Sequence, residues 1–187
     1  MCDIAGGLDA LHRCHIVHND IKCTNILLFS SPRLTAKVAD FGCSVLLAST
    51  NAIARRAGTL LYAPIEAYSH DCLVHPSRDV FSFGIVVLYL GDPIPGLRVM
   101  EEDAVIQLKS HDEILQGFAR DCLRGAPARV IDLALVTLRV NANERPGLIT
   151  RQSLDSLDDR PAKKSVDWLQ NILQKTSMGL NTIFNAV

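Results

Sequence analysis

Hydrophobic and polar positions divide the chain into two stretches with different periods. Ile4, Leu8 and Leu11 recur at helical spacing and predict a helix over residues 3–13. The Gly6-Gly7 pair lowers its intrinsic propensity, so this helix is expected to need tertiary support. Short apolar runs follow. Ile16-Val17 predicts a very short strand and Ile26-Leu27-Leu28-Phe29 a longer one. Ser30-Ser31-Pro32-Arg33 carries turn chemistry ahead of a second short strand, Ala36-Lys37-Val38-Ala39, so residues 26–39 read as a hairpin. Residues 43–62 have no strong period and predict a long loop, of a length that often carries function.

The later stretch is helical. Val80 through Leu90 is apolar nearly all round, the pattern of a helix at the centre of a core. Pro93 and Pro95 forbid its continuation through the Gly91–Gly96 segment. Residues 100–123 and 127–140 predict further helices, 141–146 a loop and 147–157 a short helix. Asp158-Asp159-Arg160-Pro161 marks a boundary between a domain at 1–158 and a tail at 159–187. In the tail, Trp168, Leu169, Ile172 and Leu173, continued by Leu180, Ile183 and Phe184, predict an amphipathic helix. It is expected to pack on the domain, with a membrane-surface position as the alternative.

Composition narrows the class. The 187 residues suit one domain, and 48% hydrophobic content excludes a wholly disordered chain. Nineteen basic residues balance 20 acidic ones, which argues against a polyelectrolyte partner such as nucleic acid. No apolar run reaches the roughly 18 residues of a membrane span, and Met1-Cys2-Asp3-Ile4 does not open a secretory signal. Six cysteines, none spaced C-x-x-C, predict reduced thiols in a cytoplasmic or nuclear protein rather than a secreted one. His12, Cys14, His15, His18 and Cys23 are all zinc-ligand types, but their spacing matches no common zinc module.

Three segments carry the candidate chemistry. His18-Asn19-Asp20-Ile21-Lys22-Cys23-Thr24-Asn25 lies between two strands, Asp40-Phe41-Gly42 follows a strand, and Gly58-Thr59-Leu60-Leu61-Tyr62-Ala63-Pro64-Ile65-Glu66 follows the long loop. Asp20, Asn25 and Asp40 are loop oxygen donors, the ligand type that Mg²⁺ shares with phosphates and water. A carboxylate and an amide brought together could hold Mg²⁺ on a nucleotide. A second carboxylate could accept a hydroxyl proton, and Lys22 could neutralise charge on a transferring group. Phosphoryl transfer needs this mix of positioning and charge stabilisation. The bland alternatives are a turn role for Asp20, a turn cap for Asn25 and a solvated charge for Lys22.

In this order the segments match H-R-D-L-x-x-x-N, D-F-G and A-P-E, and the chain resembles the C-terminal lobe of a eukaryotic protein kinase of serine/threonine type. Asp79-Val80-Phe81-Ser82-Phe83-Gly84 is similar to that family's central buried helix, and Asn141-Ala142-Asn143-Glu144-Arg145-Pro146 to a late loop. The resemblance covers residues 3–157. It implies a mainly α fold: a helical core with a small β-hairpin carrying the catalytic and Asp-Phe-Gly loops. It implies ATP and Mg²⁺ as cofactors and a protein substrate. Asp20 then matches the catalytic base, Asn25 and Asp40 the metal ligands, and Lys22 the lysine beside the base. Thr59 matches a threonine bonded to that aspartate and lysine, and Glu66 and Arg145 a structural ion pair. Asp79 matches the aspartate that holds the catalytic-loop backbone. His18 is expected to be a structural hydrogen-bonder, Phe41 a packing residue, and Gly42 to complete the second motif.

The chain also departs from the family pattern. The family's N-terminal lobe supplies a G-x-G-x-x-G loop and a strand lysine, and the 187 residues contain neither. The expectation is an N-terminally truncated lobe, inactive alone, with an exposed face open to a partner. Ile65 separates the Ala63-Pro64 pair from Glu66 by one extra residue, and the central helix ends in Tyr89-Leu90-Gly91 without the usual glutamate. A non-catalytic binding module of pseudokinase type and a small-molecule phosphotransferase of the same superfamily are the alternatives. Asn19 replaces an arginine that in the family meets a phosphorylated loop residue, a charge-assisted contact that asparagine cannot make. Phosphorylation at Ser44, Ser49, Thr50 or Thr59 is therefore not expected to switch activity by that route. Acidic substitutions at Ser49 and Thr50 in the full-length protein should leave kinase activity unchanged, and a rise would count against this reading.

Overall fold

The computed structural model describes residues 1–30, 33–47, 58–69, 73–91 and 100–147. The Pro32 turn, the middle of the 43–62 loop with Arg55-Arg56, the 92–96 stop, the 147–157 helix beyond its first residue, the 158 boundary and the 159–187 helix lie outside the described residues.

Helix α1 spans Cys2–Arg13 and buries Ile4, Ala5, Leu8, Asp9 and His12 along one stripe. It ends where His15 takes a left-handed φ of 57°. Two ladders follow. β1 (Ile16–Val17) pairs antiparallel with β4 (Val45–Leu46), in the register Ile16↔Leu46 and Val17↔Val45. β2 (Ile26–Phe29) pairs antiparallel with β3 (Thr35–Val38), in the register Ile26↔Val38 through Phe29↔Thr35. The outer strands of this stretch pair with each other and so do the inner ones. The connection from 18 to 25 must therefore sit beside the one from 39 to 44. A short 3₁₀ turn, Cys23–Asn25, ends the first connection. Helix α1 lies against β3, where the Asp3 carboxylate accepts the Ala36 N–H at 3.0 Å.

Helix α2, Ser77–Gly91, is the axis of the core: every residue from Ser77 to Tyr89 is buried. The apolar pattern over 80–90 predicts this burial, and the helix begins three residues before Val80. α3 (Glu102–Ser110) packs on α4 (Asp112–Cys122), and α4 and α5 (Ala128–Thr137) pack against α2. The single helix expected over 100–123 is thus two. The break is His111, at φ −129° and ψ 113°. It turns the chain so that the Asp112 carboxylate accepts the Val140 N–H at 3.0 Å and pairs with Arg139 at 2.8 Å. The expected 127–140 helix stops at Thr137. Gln116 then donates to the Leu135 and Leu138 carbonyls at 3.1 and 3.3 Å, satisfying acceptors that the helix end leaves free. Among the described residues no helix is long and apolar enough to cross a membrane.

The crossing of α2 and α5 is close at Gly84, where an added Cβ would lie 2.5 Å from Thr137 Oγ1 and 2.8 Å from Leu138. At Gly6, on the exposed face of α1, an added Cβ would meet nothing within 4 Å. Gly84→Ala is expected to cost about 1–3 kcal/mol by forcing α2 and α5 apart. Gly6→Ala is expected to stabilise by about 0.5–1 kcal/mol through helix propensity. Urea midpoints of the two variants should move in opposite directions. Equal midpoints would contradict the described crossing.

Candidate functional site

The site is anchored by a carboxylate with no exposure to water. Asp79, in the first turn of α2, is 0% exposed. Its Oδ1 accepts the Asn19 N–H at 2.8 Å, and its Oδ2 accepts the His18 N–H at 2.8 Å and meets His12 Nε2 at 2.9 Å. These bonds fix the backbone immediately before Asp20. His18 completes the arrangement. Its Nδ1 accepts the Asp20 N–H at 3.4 Å and its Nε2 lies 3.1 Å from the Ala39 carbonyl, two contacts that one neutral tautomer satisfies. The ring also meets Phe41 at 5.1 Å between centroids. His18 thus links the two connections through its ring. Phe41 remains 51% exposed, less enclosed than a core packing residue.

Asn19 and Asp40 both take left-handed φ values, 65° and 63°. Asparagine and aspartate adopt this region more readily than other residues with a Cβ. Asn19 also accepts from the buried Arg78 guanidinium at 3.3 Å, so its side chain makes a neutral structural contact.

The Asp20 carboxylate is held from three directions. Oδ2 accepts from Lys22 Nζ at 2.7 Å and from the Asn25 amide at 3.2 Å. Oδ1 accepts from the Thr59 N–H at 3.1 Å and the Thr59 hydroxyl at 3.0 Å. Lys22 Nζ closes the set by reaching Thr59 Oγ1 at 3.2 Å. Thr59 arrives because Gly58 allows it: φ is 100°, and a Cβ there would sit 2.9 Å from the Asn19 carbonyl oxygen. Sequence separations of 39 and 37 residues are closed by these bonds.

Asn25 and Asp40 lie on neighbouring backbone. The Ala39 N–H donates to the Asn25 carbonyl at 2.9 Å, so Asp40 follows directly on the residue tied to Asn25. Asn25 spends its amide hydrogens on the Asp20 carbonyl and carboxylate. Asp40 Oδ1 accepts the Gly42 N–H at 3.2 Å. Among the described residues, no hydrogen bond engages Asn25 Oδ1 or Asp40 Oδ2. An amide oxygen and a carboxylate oxygen form a donor set that suits Mg²⁺ shared with phosphate.

The third segment forms a scaffold beneath the site. Pro64 precedes a 3₁₀ turn, Ile65–Tyr68, which carries Glu66 to Arg145. Ile65 opens that turn, and Glu66 forms the ion pair from its second position. Arg145 Nη1 donates to Glu66 Oε1 and Nη2 to Glu66 Oε2 at 3.1 Å. The same guanidinium donates to the carbonyls of Ser77, Arg139 and Val140 and lies 4.8 Å over the Phe81 ring. Tyr62 stacks on Tyr89 at 5.3 Å. Burial pushes the Tyr68 phenol up to about 12, helped by the Glu102 and Asp20 carboxylates.

The sequence reading named His12 only as a zinc-ligand type and did not single out Lys109. His12 and Lys109 both sit on largely apolar buried stripes, His12 beside Ile4, Leu8 and Asp9 and Lys109 beside Val105 and Leu108. A polar residue at a core-facing position needs a partner, and that is the signal that could have found them. Of the expected zinc-ligand types, His12 and His18 are spent on Asp79 and Ala39, and Cys14 and His15 are exposed.

A family model described as protein kinase domain matches residues 1–156. Phytosulfokine receptor 2 of Arabidopsis thaliana is 32% identical over 179 residues, covering 90% of this chain and 16% of the relative. Wall-associated receptor kinase-like 18 of the same plant is 34% identical over 164 residues, covering 78% of this chain and 20% of the relative. A G-type lectin S-receptor-like serine/threonine-protein kinase from Arabidopsis thaliana is 28% identical over 179 residues, covering 86% and 22%. The chain belongs to the protein kinase family. It spans about a fifth of the length of these relatives.

Asparagine at position 79 would offer one acceptor oxygen where three donors converge on Asp79. Asp79→Asn is expected to destabilise the fold by about 2–3 kcal/mol. It should also speed amide exchange at His18 and Asn19 well beyond the change in the middle of α2. An unchanged urea midpoint would contradict the anchoring role.

Proposed function

We propose that residues 1–158 form the C-terminal lobe of a serine/threonine protein kinase, that residues 159–187 are a tail, and that the parent function is ATP-dependent phosphoryl transfer to a protein hydroxyl. The observation that supports this best is the Asp20 carboxylate fixed by Lys22, Asn25 and Thr59, with Asn25 and Asp40 on neighbouring backbone, each with an oxygen that no hydrogen bond engages among the described residues. A carboxylate held this way keeps one orientation, which transfer to an aligned hydroxyl demands.

ATP with Mg²⁺, when bound, supplies the transferable phosphoryl group and a Lewis acid. Asn25 and Asp40 would hold the metal. Asp20 orients the substrate hydroxyl and accepts its proton, and Lys22 offsets charge on the transferring oxygens. Thr59 keeps Asp20 in place and belongs to the loop that meets a protein substrate. His18, Phe41, Gly42, Glu66, Asp79 and Arg145 serve structural roles around these groups.

The hairpin supports a further part of the reading. Leu27, Leu28, Phe29 and Leu34 are exposed, Leu28 to 60%, on the hairpin directly before Asp40. An apolar surface of this kind fits an N-terminal lobe or another protein partner. The 187 residues carry no glycine loop or strand lysine, so by themselves they are expected to be inactive. A cytoplasmic or nuclear setting suits the reading of the thiols as reduced.

The purified 187-residue chain with Mg²⁺·ATP and a serine/threonine substrate is expected to give no turnover above background. Turnover abolished by Asp20→Ala would overturn the inactivity. If the coding sequence upstream of Met1 encodes a glycine loop and strand lysine, the longer protein is expected to phosphorylate serine or threonine. Asp20→Ala should then cost it at least about 10²-fold in rate. A folded longer protein that binds partners but transfers no phosphate would replace the catalytic reading with the non-catalytic module.

A further inference from the structure

Lys109 is among the largest fully buried side chains, 2% exposed, and the roles assigned above do not use it. It sits near the C-terminus of α3, far in sequence from the segment it contacts. Its Nζ donates to three backbone carbonyls: Leu60 at 2.6 Å, Leu61 at 2.9 Å and Ala63 at 2.7 Å. An ammonium has three hydrogens, so the three acceptors and three donors match one to one. These carbonyls belong to the turn that begins at Thr59, whose own carbonyl accepts the N–H groups of Tyr62 and Ala63 at 2.8 and 2.9 Å. Three carbonyls converging on a point would repel one another without a cation between them. The turn that presents Thr59 to Asp20 is thus wound around the Lys109 head group.

We propose that Lys109 is a positioning residue for the phosphoryl-transfer site: its ammonium gathers the Leu60, Leu61 and Ala63 carbonyls and so holds the Thr59 hydroxyl and amide on the Asp20 carboxylate. The catalytic meaning of this role rests on the function proposed above. The mechanical part does not.

The charge of Lys109 makes the hold responsive to pH. Burial pushes the amine down to about 7, while the Glu66 carboxylate on the neighbouring 3₁₀ turn pulls it up. From α2, Phe81 faces the ammonium, its ring centroid 5.6 Å away. Arg145 lies over the same ring and is neutralised by Glu66. The nearest acids on α3 itself are Glu102 and Asp103, in its first turn. Losing the proton leaves two hydrogens for three carbonyls, so one bond must open and the turn slackens. Global stability follows the opposite sign. Between about 7 and the ordinary lysine value of 10.5 the unfolded chain binds one more proton than the folded one, so this residue's contribution rises with pH. A local loosening without global loss is therefore the signature of this role.

The test is amide exchange on the 187-residue chain between about pH 6 and pH 9, corrected for intrinsic exchange, beside a carbon-13 titration of the lysine side chains. The Thr59 and Ala63 amides are expected to lose about tenfold protection as Lys109 deprotonates, while amides in the middle of α2 do not. Lys109→Met, with no charge, should show weak Thr59 protection at every pH. Lys109→Arg, charged throughout, should show no drop. If Lys109→Met fails to fold, the wild-type titration and Lys109→Arg decide. Thr59 protection that stays flat while the amine titrates, or that is equal in wild type and Lys109→Met, overturns the proposal. So does a Lys109→Arg profile that drops as the wild type does. If the amine stays charged over the whole range, the methionine and arginine variants decide alone. None of these readouts needs ATP, so a failure of the kinase reading would appear separately, as absent phosphate transfer by the longer protein.

Discussion

The arrangement depends on one buried carboxylate. Asp79 enters the core at the start of α2 and takes two backbone N–H groups and a histidine there. Burying a carboxylate is tolerable only when donors replace its water, and these donors come from α1 and from the connection after β1. The cost of burying the charge thereby becomes a constraint on two other elements. The 18–20 backbone cannot leave Asp79 without stranding it. Asp20 inherits its place from that constraint.

A second level of constraint sets what Asp20 can do. The paired ladders bring the 18–25 and 39–44 connections side by side, and the Ala39–Asn25 bond locks them. The 58–63 turn closes on Asp20 from the other direction, with Lys109 gathering its carbonyls and Arg145 fixing the following 3₁₀ turn through Glu66. Both cations emerge from the helical side of the domain, and both stack on Phe81. Helical packing and loop geometry are coupled through one aromatic ring.

Much of this was legible in the chain. The central helix follows from an apolar run that fits no amphipathic position, and the hairpin follows from apolar runs around a turn. Asp20, Asn25 and Asp40 were visible as loop oxygen donors, and the Gly58–Glu66 segment through the family resemblance. The boundary at His111 was not, because nothing local breaks a helix there; the break serves a contact between Asp112 and Val140, 28 residues away. The contacts of His12 and Lys109 were missed for a similar reason. Each residue lies on a buried stripe as a polar exception, and only a partner on another element explains it.

The sequence by itself determined α1, the hairpin, the central helix and the identity of the chemically capable residues, because periodicity and residue type are local properties; the His111 break and strand β4 came from tertiary pairing. Which of those residues meet was decided by tertiary structure. Asp20 and Thr59 stand 39 positions apart, and Glu66 and Arg145 stand 79 apart. Separations of that size leave no trace in a local pattern. They are closed only when burying α2 forces each desolvated polar group to find its partner elsewhere in the fold.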